Sequence, residues 1–226
     1  MVLEVVVASG KGGVGKSTIA SSLAVIMGKE LGNLVVIDAD VDAPNLHLIL
    51  NVREWVDELV IRSARVAKVD VGKCVGCGLC VNACTNKAVK LVNGKCVINQ
   101  YLCEGCGACV FVCPKKAIEL YDVISGIVKA GLTEFGFPLI TASLPPGRAN
   151  TGKIVTEERN LARNRFKNFT IVTDAAAGIG CQVIASLVGA DLALLVAEPT
   201  PTSFNDLKRI HRFTKHFGIP SVLAIN

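Results

Sequence analysis

Eight of the ten cysteines fall in two runs of identical spacing, and this repeat constrains the middle of the chain more than any other feature. The first run is Cys74, Cys77, Cys80 and Cys84. The second is Cys103, Cys106, Cys109 and Cys113, followed by Pro114. Each reads C-x2-C-x2-C-x3-C, and residues 74–91 align with residues 103–120 without a gap. Gly76, Gly78, Gly105 and Gly107 stand between the cysteines, where a tight loop must turn its backbone N–H groups toward sulfur. A piece of about fifty residues buries too little apolar surface to hold itself together, so its core is expected to come from metal. Structural zinc sites pair two C-x2-C elements and have no use for a third close Cys and an x3 step. Disulfide frameworks belong to small secreted domains. The first ten residues carry Glu4 inside an apolar stretch and no basic start, which is not the pattern of a signal peptide, so a cytoplasmic location is expected.

The doubled run resembles the bacterial two-cluster ferredoxins over roughly residues 70–122. That resemblance implies two [4Fe–4S] clusters, each taking three thiolates from one run and the fourth from the other. Cys74, Cys77, Cys80 and Cys113 would hold one, and Cys103, Cys106, Cys109 and Cys84 the second. Thr85 departs from the pattern, since a proline often follows the fourth Cys. The formal charge of +5 then overstates the basicity of the loaded protein, because each oxidised cluster with its thiolates carries about two negative charges. Net charge therefore gives no reason to expect nucleic acid. Half of the chain is apolar, enough for a sizeable core, and the longest apolar run, Val183–Ala197, is broken by Gly189 and Asp191 before membrane-spanning length.

Outside the cysteine segment the chain opens with a β-rich run, Val2–Ala8, then Ser9, Gly10, Lys11, Gly12, Gly13, Val14, Gly15, Lys16, Ser17 and Thr18. Ile19, Leu23, Ile26 and Met27 follow at helical spacing. Strand, glycine-rich loop and helix in that order are the setting of a phosphate-binding loop, and Gly10 through Ser17 satisfy G-x4-G-K-[ST]. The glycines let successive N–H groups face phosphate, Lys16 reaches the β- and γ-phosphates, and the Ser17 hydroxyl coordinates Mg²⁺.

With Lys11, the loop resembles the deviant Walker A motif of the MinD/ParA ATPases, which include the nitrogenase iron protein. The resemblance implies an ATP-dependent homodimer in which Lys11 crosses to the partner's nucleotide. It extends to Asp38-Ala39-Asp40, like the family's switch I, where Asp40 would orient the attacking water and Asp38 lie near the metal. A strand-end turn capped by Asp and Pro is the plainer alternative. Phe169–Thr173 leads into Asp174-Ala175-Ala176-Ala177-Gly178, which resembles Walker B and switch II. Asp174 would bind Mg²⁺ through water and the Gly178 N–H would sense the γ-phosphate. Ala175 and Ala176 replace the usual hydroxyl and proline, so hydrolysis is expected to be slow and partner-stimulated. A further strand, Ser221–Ile225, ends at Asn226, which in the family reads adenine. The family's following Lys, strand and helices are not in the sequence, which reads as C-terminally truncated.

Several residues carry plainer expectations. A helix following Glu198-Pro199-Thr200-Pro201-Thr202 should bury Phe204, Leu207, Ile210, Phe213 and Phe217, with a capping box of Ser203 and Asp206 and a stop at Gly218 and Pro220. Lys208, Arg209, Arg212 and Lys215, and likewise Arg159, Arg163, Arg165 and Lys167, read as solvated faces. His47, His211 and His216 form no metal face, and Cys96 reads as a packed strand residue. Cys181 lies seven residues after Asp174, the spacing at which the nitrogenase iron protein places a cluster ligand. A second ligand has no counterpart here, so a small buried thiol is expected.

The expected fold is a doubly wound, mostly parallel α/β P-loop NTPase sheet, residues 1–69 and 123–226, carrying an inserted α+β bacterial-type ferredoxin domain, residues 70–122. Val52–Val69 and Phe137–Leu144 should be the strands leading into and out of it, and Gly147–Lys153 should open a helix. The expected cofactors are ATP, Mg²⁺ and two [4Fe–4S] clusters. Two function classes follow. One couples nucleotide-driven dimerisation to electron transfer or cluster assembly with a redox or iron–sulfur client. The other is a positioning or partitioning ATPase with structural or sensory clusters. No nucleic-acid partner is expected, and membrane association is not legible.

Overall fold

Apolar runs without alternation become the central strands of one sheet, because parallel strands are covered on both faces. In the computed structural model, which describes residues 3–147 and 150–226, β1 (Glu4–Ser9) and β2 (Leu34–Ala39) are buried at every position. The predicted strand start at Val2 and the Arg148 and Ala149 of the predicted helix opening lie outside the described residues. The other strands of this sheet are β3 (Val52–Ile61), β8 (Gly126–Thr133), β9 (Pro138–Ser143), β10 (Thr170–Ala177), β11 (Leu192–Ala197) and β12 (Ser221–Ile225). Their order is β12-β11-β1-β10-β2-β9-β8-β3. The strands from β12 through β9 run parallel, and β8 joins β9 antiparallel.

Alternate residues of β1 feed two cores. Val7 packs with Ala20 and Ala24 of α1 (Lys16–Leu31) on one face. Val6 and Ala8 pack on the other face with Val183 and Leu187 of α6 (Cys181–Leu187) and Ile210 of α7 (Pro201–His216). The sheet is therefore wound on both sides. Two predicted helix faces are borne out in part. In α1, Ile19, Leu23 and Met27 pack against the core as expected but are only partly buried, and Ile26 is exposed. The buried positions are Lys16, Ala20, Ser21 and Ala24, whose small residues allow α1 to approach the sheet closely. In α7 the buried residues are Ser203, Ile210 and Thr214. Phe204 is exposed, with the Lys208 ammonium 4.3 Å above its ring. The cap of α7 is Thr200, whose hydroxyl accepts from Ser203 N at 3.3 Å, with Pro201 in the first turn; the predicted Ser203–Asp206 box does not form.

A second compact unit comprises Ile61–Ser125 and Pro145–Asn150. The predicted strand Val52–Val69 is two strands, because Val52–Ile61 belongs to the large sheet while β4 (Ala64–Val69) pairs antiparallel with β7 (Ile118–Val123). A hairpin of β5 (Val89–Val92) and β6 (Lys95–Ile98) repeats that arrangement, and each half carries a short helix, α3 (Leu79–Ala83) or α4 (Ala108–Phe111). Ser125 N donates to Ile61 O at 2.8 Å, and its hydroxyl bonds to that carbonyl and to Ser63, so the two ends of the unit are fastened together. In the large unit the helix predicted from Gly147 begins at Thr151 as α5 (Thr151–Arg165).

Candidate nucleotide site and cysteine cavities

The loop Gly10–Ser17 connects β1 to α1 with Gly13 and Gly15 at φ +81°, a conformation that side chains with a Cβ rarely adopt. No side chain caps α1, so its first N–H groups remain to meet an anion. Lys16 is 7% exposed and its ammonium touches Asp174 Oδ1 and Ser17 Oγ, the latter at 3.3 Å. Asp174 Oδ2 has no partner among the described residues. Burial pushes the Asp174 carboxyl up more strongly than the neighbouring ammonium pulls it down. A fixed cation, a hydroxyl and an unshared carboxylate oxygen beneath a glycine loop fit a magnesium-bound polyphosphate.

Asp38 is fully buried one strand from Asp174, in register with it. Its Oδ2 accepts N–H bonds from Asn45 and Leu46, each at 2.8 Å, which fastens the turn leading into α2 (Leu46–Ile49). Its pKa is pushed up to about 6 by burial and by Asp174, against the pull of those N–H groups. The turn-capping role read as the plainer alternative is thus present, and Asp38 serves it with the same carboxylate assigned to the metal. Glu158 of α5, invisible in the sequence among polar helix residues, is fully buried with both oxygens unpartnered among the described residues; burial and the Asp38 charge push it well above the usual carboxylate range.

Other predicted site residues are engaged within the chain. Lys11 pairs with Glu198 at 2.8 Å. The Gly178 N–H donates to Ser9 O at 2.9 Å, with φ +93°. Asn226 donates its side-chain N–H to Val14 O at 3.2 Å, which brings it to the loop. Asp40 is half-buried at the end of β2, and Thr18 is exposed. Two expectations fail. Cys181 is exposed at the start of α6, not buried. Arg159 is not on a solvated face: it is 4% exposed, bonded to Glu4 at 2.6 Å and to the Ala185 and Val188 carbonyls.

In the second unit the eight repeat cysteines line two small cavities of equal volume, about 20 Å³ each. Cys74, Cys77, Cys80 and Cys113 line one; Cys84, Cys103, Cys106 and Cys109 line the other. Backbone N–H groups point at sulfur in matched pairs. Ala88 N lies 3.3 Å from Cys84 Sγ and Ala117 N 3.3 Å from Cys113 Sγ, while Cys96 N lies 3.4 Å from Cys74 Sγ and Ala67 N 3.3 Å from Cys103 Sγ. Such bonds favour thiolate, and the Cys96 N–H holds the Cys74 thiol below its ordinary range. At Gly76 and Gly105 a Cβ would collide with the Gly94 and Arg65 carbonyls. Among the described residues no group of three or more His, Cys, Asp or Glu is arranged to hold a metal, so the expected cluster ligands are brought into two sets without forming a metal site. Cys96 is buried on β6 as expected, 3.7 Å from Cys80 Sγ, and burial pushes its thiol up to about 12.

The profile of the CobQ/CobB/MinD/ParA nucleotide binding domain matches residues 5–225. The chain belongs to that family. It is accordingly a P-loop ATPase of MinD/ParA type. Two uncharacterized proteins of Methanocaldococcus jannaschii are similar to it. MJ0578 is 38% identical over all of this chain and 78% of its own length, and MJ0579 is 32% identical over 98% and 79%. Among solved structures, the cell division ATPase MinD of Pyrococcus furiosus is similar at 18% identity, with a TM-score of 0.50, over 100% of this chain and 72% of its own. MinD of Aquifex aeolicus matches at 19% and 0.54, over 99% and 69%. These likenesses show the fold. The family model accounts for the nucleotide site and leaves the chemistry of the cysteines unaddressed. No helix of the described residues is long and apolar enough to cross a membrane.

Proposed function

We propose that the chain is an ATP-driven switch of the positioning class, forming a homodimer on ATP and docking a partner protein in that state. The observation that carries this reading is the Lys16–Asp174 pair beneath the glycine loop, with Asp174 Oδ2 left for a hydrated metal. Lys16 would neutralise phosphate, Ser17, Asp38 and Asp174 would hold Mg²⁺, and Asp40 would position water. Gly10 through Thr18 would cradle the phosphates, Gly178 would read the terminal one and Asn226 the base. Lys11 would exchange Glu198 for the partner's nucleotide. The structural likeness to MinD, solved with Mg-ADP from Pyrococcus horikoshii and with MinC from Aquifex aeolicus, supports this class over electron transfer.

The cysteine cavities favour an addition to that reading: residues 70–122 act as an inserted ferredoxin domain holding two [4Fe–4S] clusters, which supply one-electron redox capacity when bound. The four-and-four partition of the repeat thiols and the N–H groups aimed at sulfur support this addition. In the positioning reading the clusters are structural or sensory. In the second reading they pass electrons, or cluster iron, to a client protein. The test is anaerobic iron and sulfide analysis followed by redox titration with no nucleotide, ADP and ATP. Identical midpoints support the positioning reading, and an ATP-specific shift supports the second. Stoichiometric zinc after iron-replete anaerobic expression would remove the ferredoxin assignment from both.

A further inference from the structure

An open cavity of about 240 Å³, room for a small ligand only, lies where the turn after β2 faces β3, β8 and β9. Pro44, His47, Trp55, Lys129, Thr141 and Ser143 line it. Thr141 is 6% exposed, yet its hydroxyl has no partner among the described residues, and the buried His47 Nδ1 has none either. A buried polar atom without a partner is costly, and two lining one cavity point to a ligand that supplies the missing bonds. In register across the sheet, Lys129 is opposite Thr141 and Thr141 is beside Asp38, so these side chains share one face. The Lys129 ammonium is at the rim, 3.4 Å from a half-exposed Glu58 carboxylate that a bound anion would displace. The Trp55 ring lies 6.3 Å from that of His47, at 48°, over Gly131, where a Cβ would come within 2.9 Å of it.

We propose that this cavity binds a small organic carboxylate, its anionic end on Lys129, Thr141 and His47 and its apolar body against Trp55 and Pro44. One ammonium suits a monoanion. Among the described residues, no arginine fork and no run of glycine N–H groups lines the cavity, as recognition of a phosphate dianion would favour. This inference does not depend on what the cysteines hold.

Trp55 is the only tryptophan, so its fluorescence reports on the cavity alone. Benzoate is expected to change that signal saturably, and benzamide, its neutral counterpart, to bind at least about tenfold more weakly. Lys129→Ala is expected to weaken benzoate by a similar factor while MgATP binding stays at the parent value. Calorimetry of benzoate binding to Thr141→Val, which keeps the shape and removes the hydroxyl, provides a second readout and should also show weaker binding. The proposal is overturned if benzoate gives no saturable response, if Lys129→Ala binds it as the parent does, or if inorganic phosphate binds more tightly than benzoate.

Discussion

Burial, reinforced by the neighbouring Asp174 carboxylate and opposed by the N–H groups of the turn, makes Asp38 sensitive to pH. Its pKa is raised to about 6 from an ordinary 3.8. Below the lower value it is protonated in both folded and unfolded chains. Between the two values only the folded protein keeps the proton, so stability falls as pH rises through this window. Above about 6 the full cost, on the order of 3 kcal/mol, is present. Nucleotide-free protein should therefore lose melting temperature between pH 4 and 6.5 through this group. Asp38→Asn, which keeps the acceptor oxygen, should reduce that loss in scanning calorimetry across the range. A second residue-scale prediction concerns Lys11, held by Glu198 in the structure. Lys11→Ala should leave ATP binding by the monomer measurable but weaken the ATP dimer, whereas Lys16→Ala should abolish MgATP binding in equilibrium dialysis. The lysines and Asp174 were legible because a glycine loop fixes their spacing. Glu158, Glu198 and the Arg159–Glu4 pair were not, because each meets its surroundings across more than a hundred residues of sequence.

The helices and strands follow their sequence pattern where one packing surface decides them and depart where two do. The P-loop strand and the last strand were read near their observed bounds, whereas the Walker B strand runs on through Asp174 to Ala177, four residues past its expected end. β8 was missed, because Gly126 and Gly131 weaken its strand signal; the close approach of Val52 and Trp55 accounts for Gly131. In α5, the basic positions looked solvated, yet Arg159 and Arg163 both hold the buried Glu4. Arg159→Ala should lower stability by about 3–5 kcal/mol, because it leaves a buried carboxylate short of a partner and frees two carbonyls. Denaturant unfolding measures this, and Glu4→Gln in the same background should recover part of the loss. At the switch elements, Asp40→Ala should bind ATP as the parent does and hydrolyse it far more slowly; turnover at the parent rate would refute that assignment.

At the scale of the whole chain, two compact units answer to two sequence signals that overlap little. The α/β sheet was legible from strand–loop–helix order. The unit boundaries were less so, since β4 and β7 extend the cysteine segment beyond residues 70–122 to Ile61 and Ser125. The partition of the cysteines tests the cluster proposal from within: Cys84→Ala should disturb the site lined by Cys103, Cys106 and Cys109, not the one containing Cys74. Iron should fall from about eight to about four per chain, with the signals of the other cluster intact in electron paramagnetic resonance. The central claim, an ATP-driven switch, is tested most directly by sedimentation of Asp40→Ala with no nucleotide, with MgADP and with MgATP. The account predicts a monomer in the first two conditions and a dimer in the third, lost again in the Lys16→Ala background. The same mass in all three would contradict it.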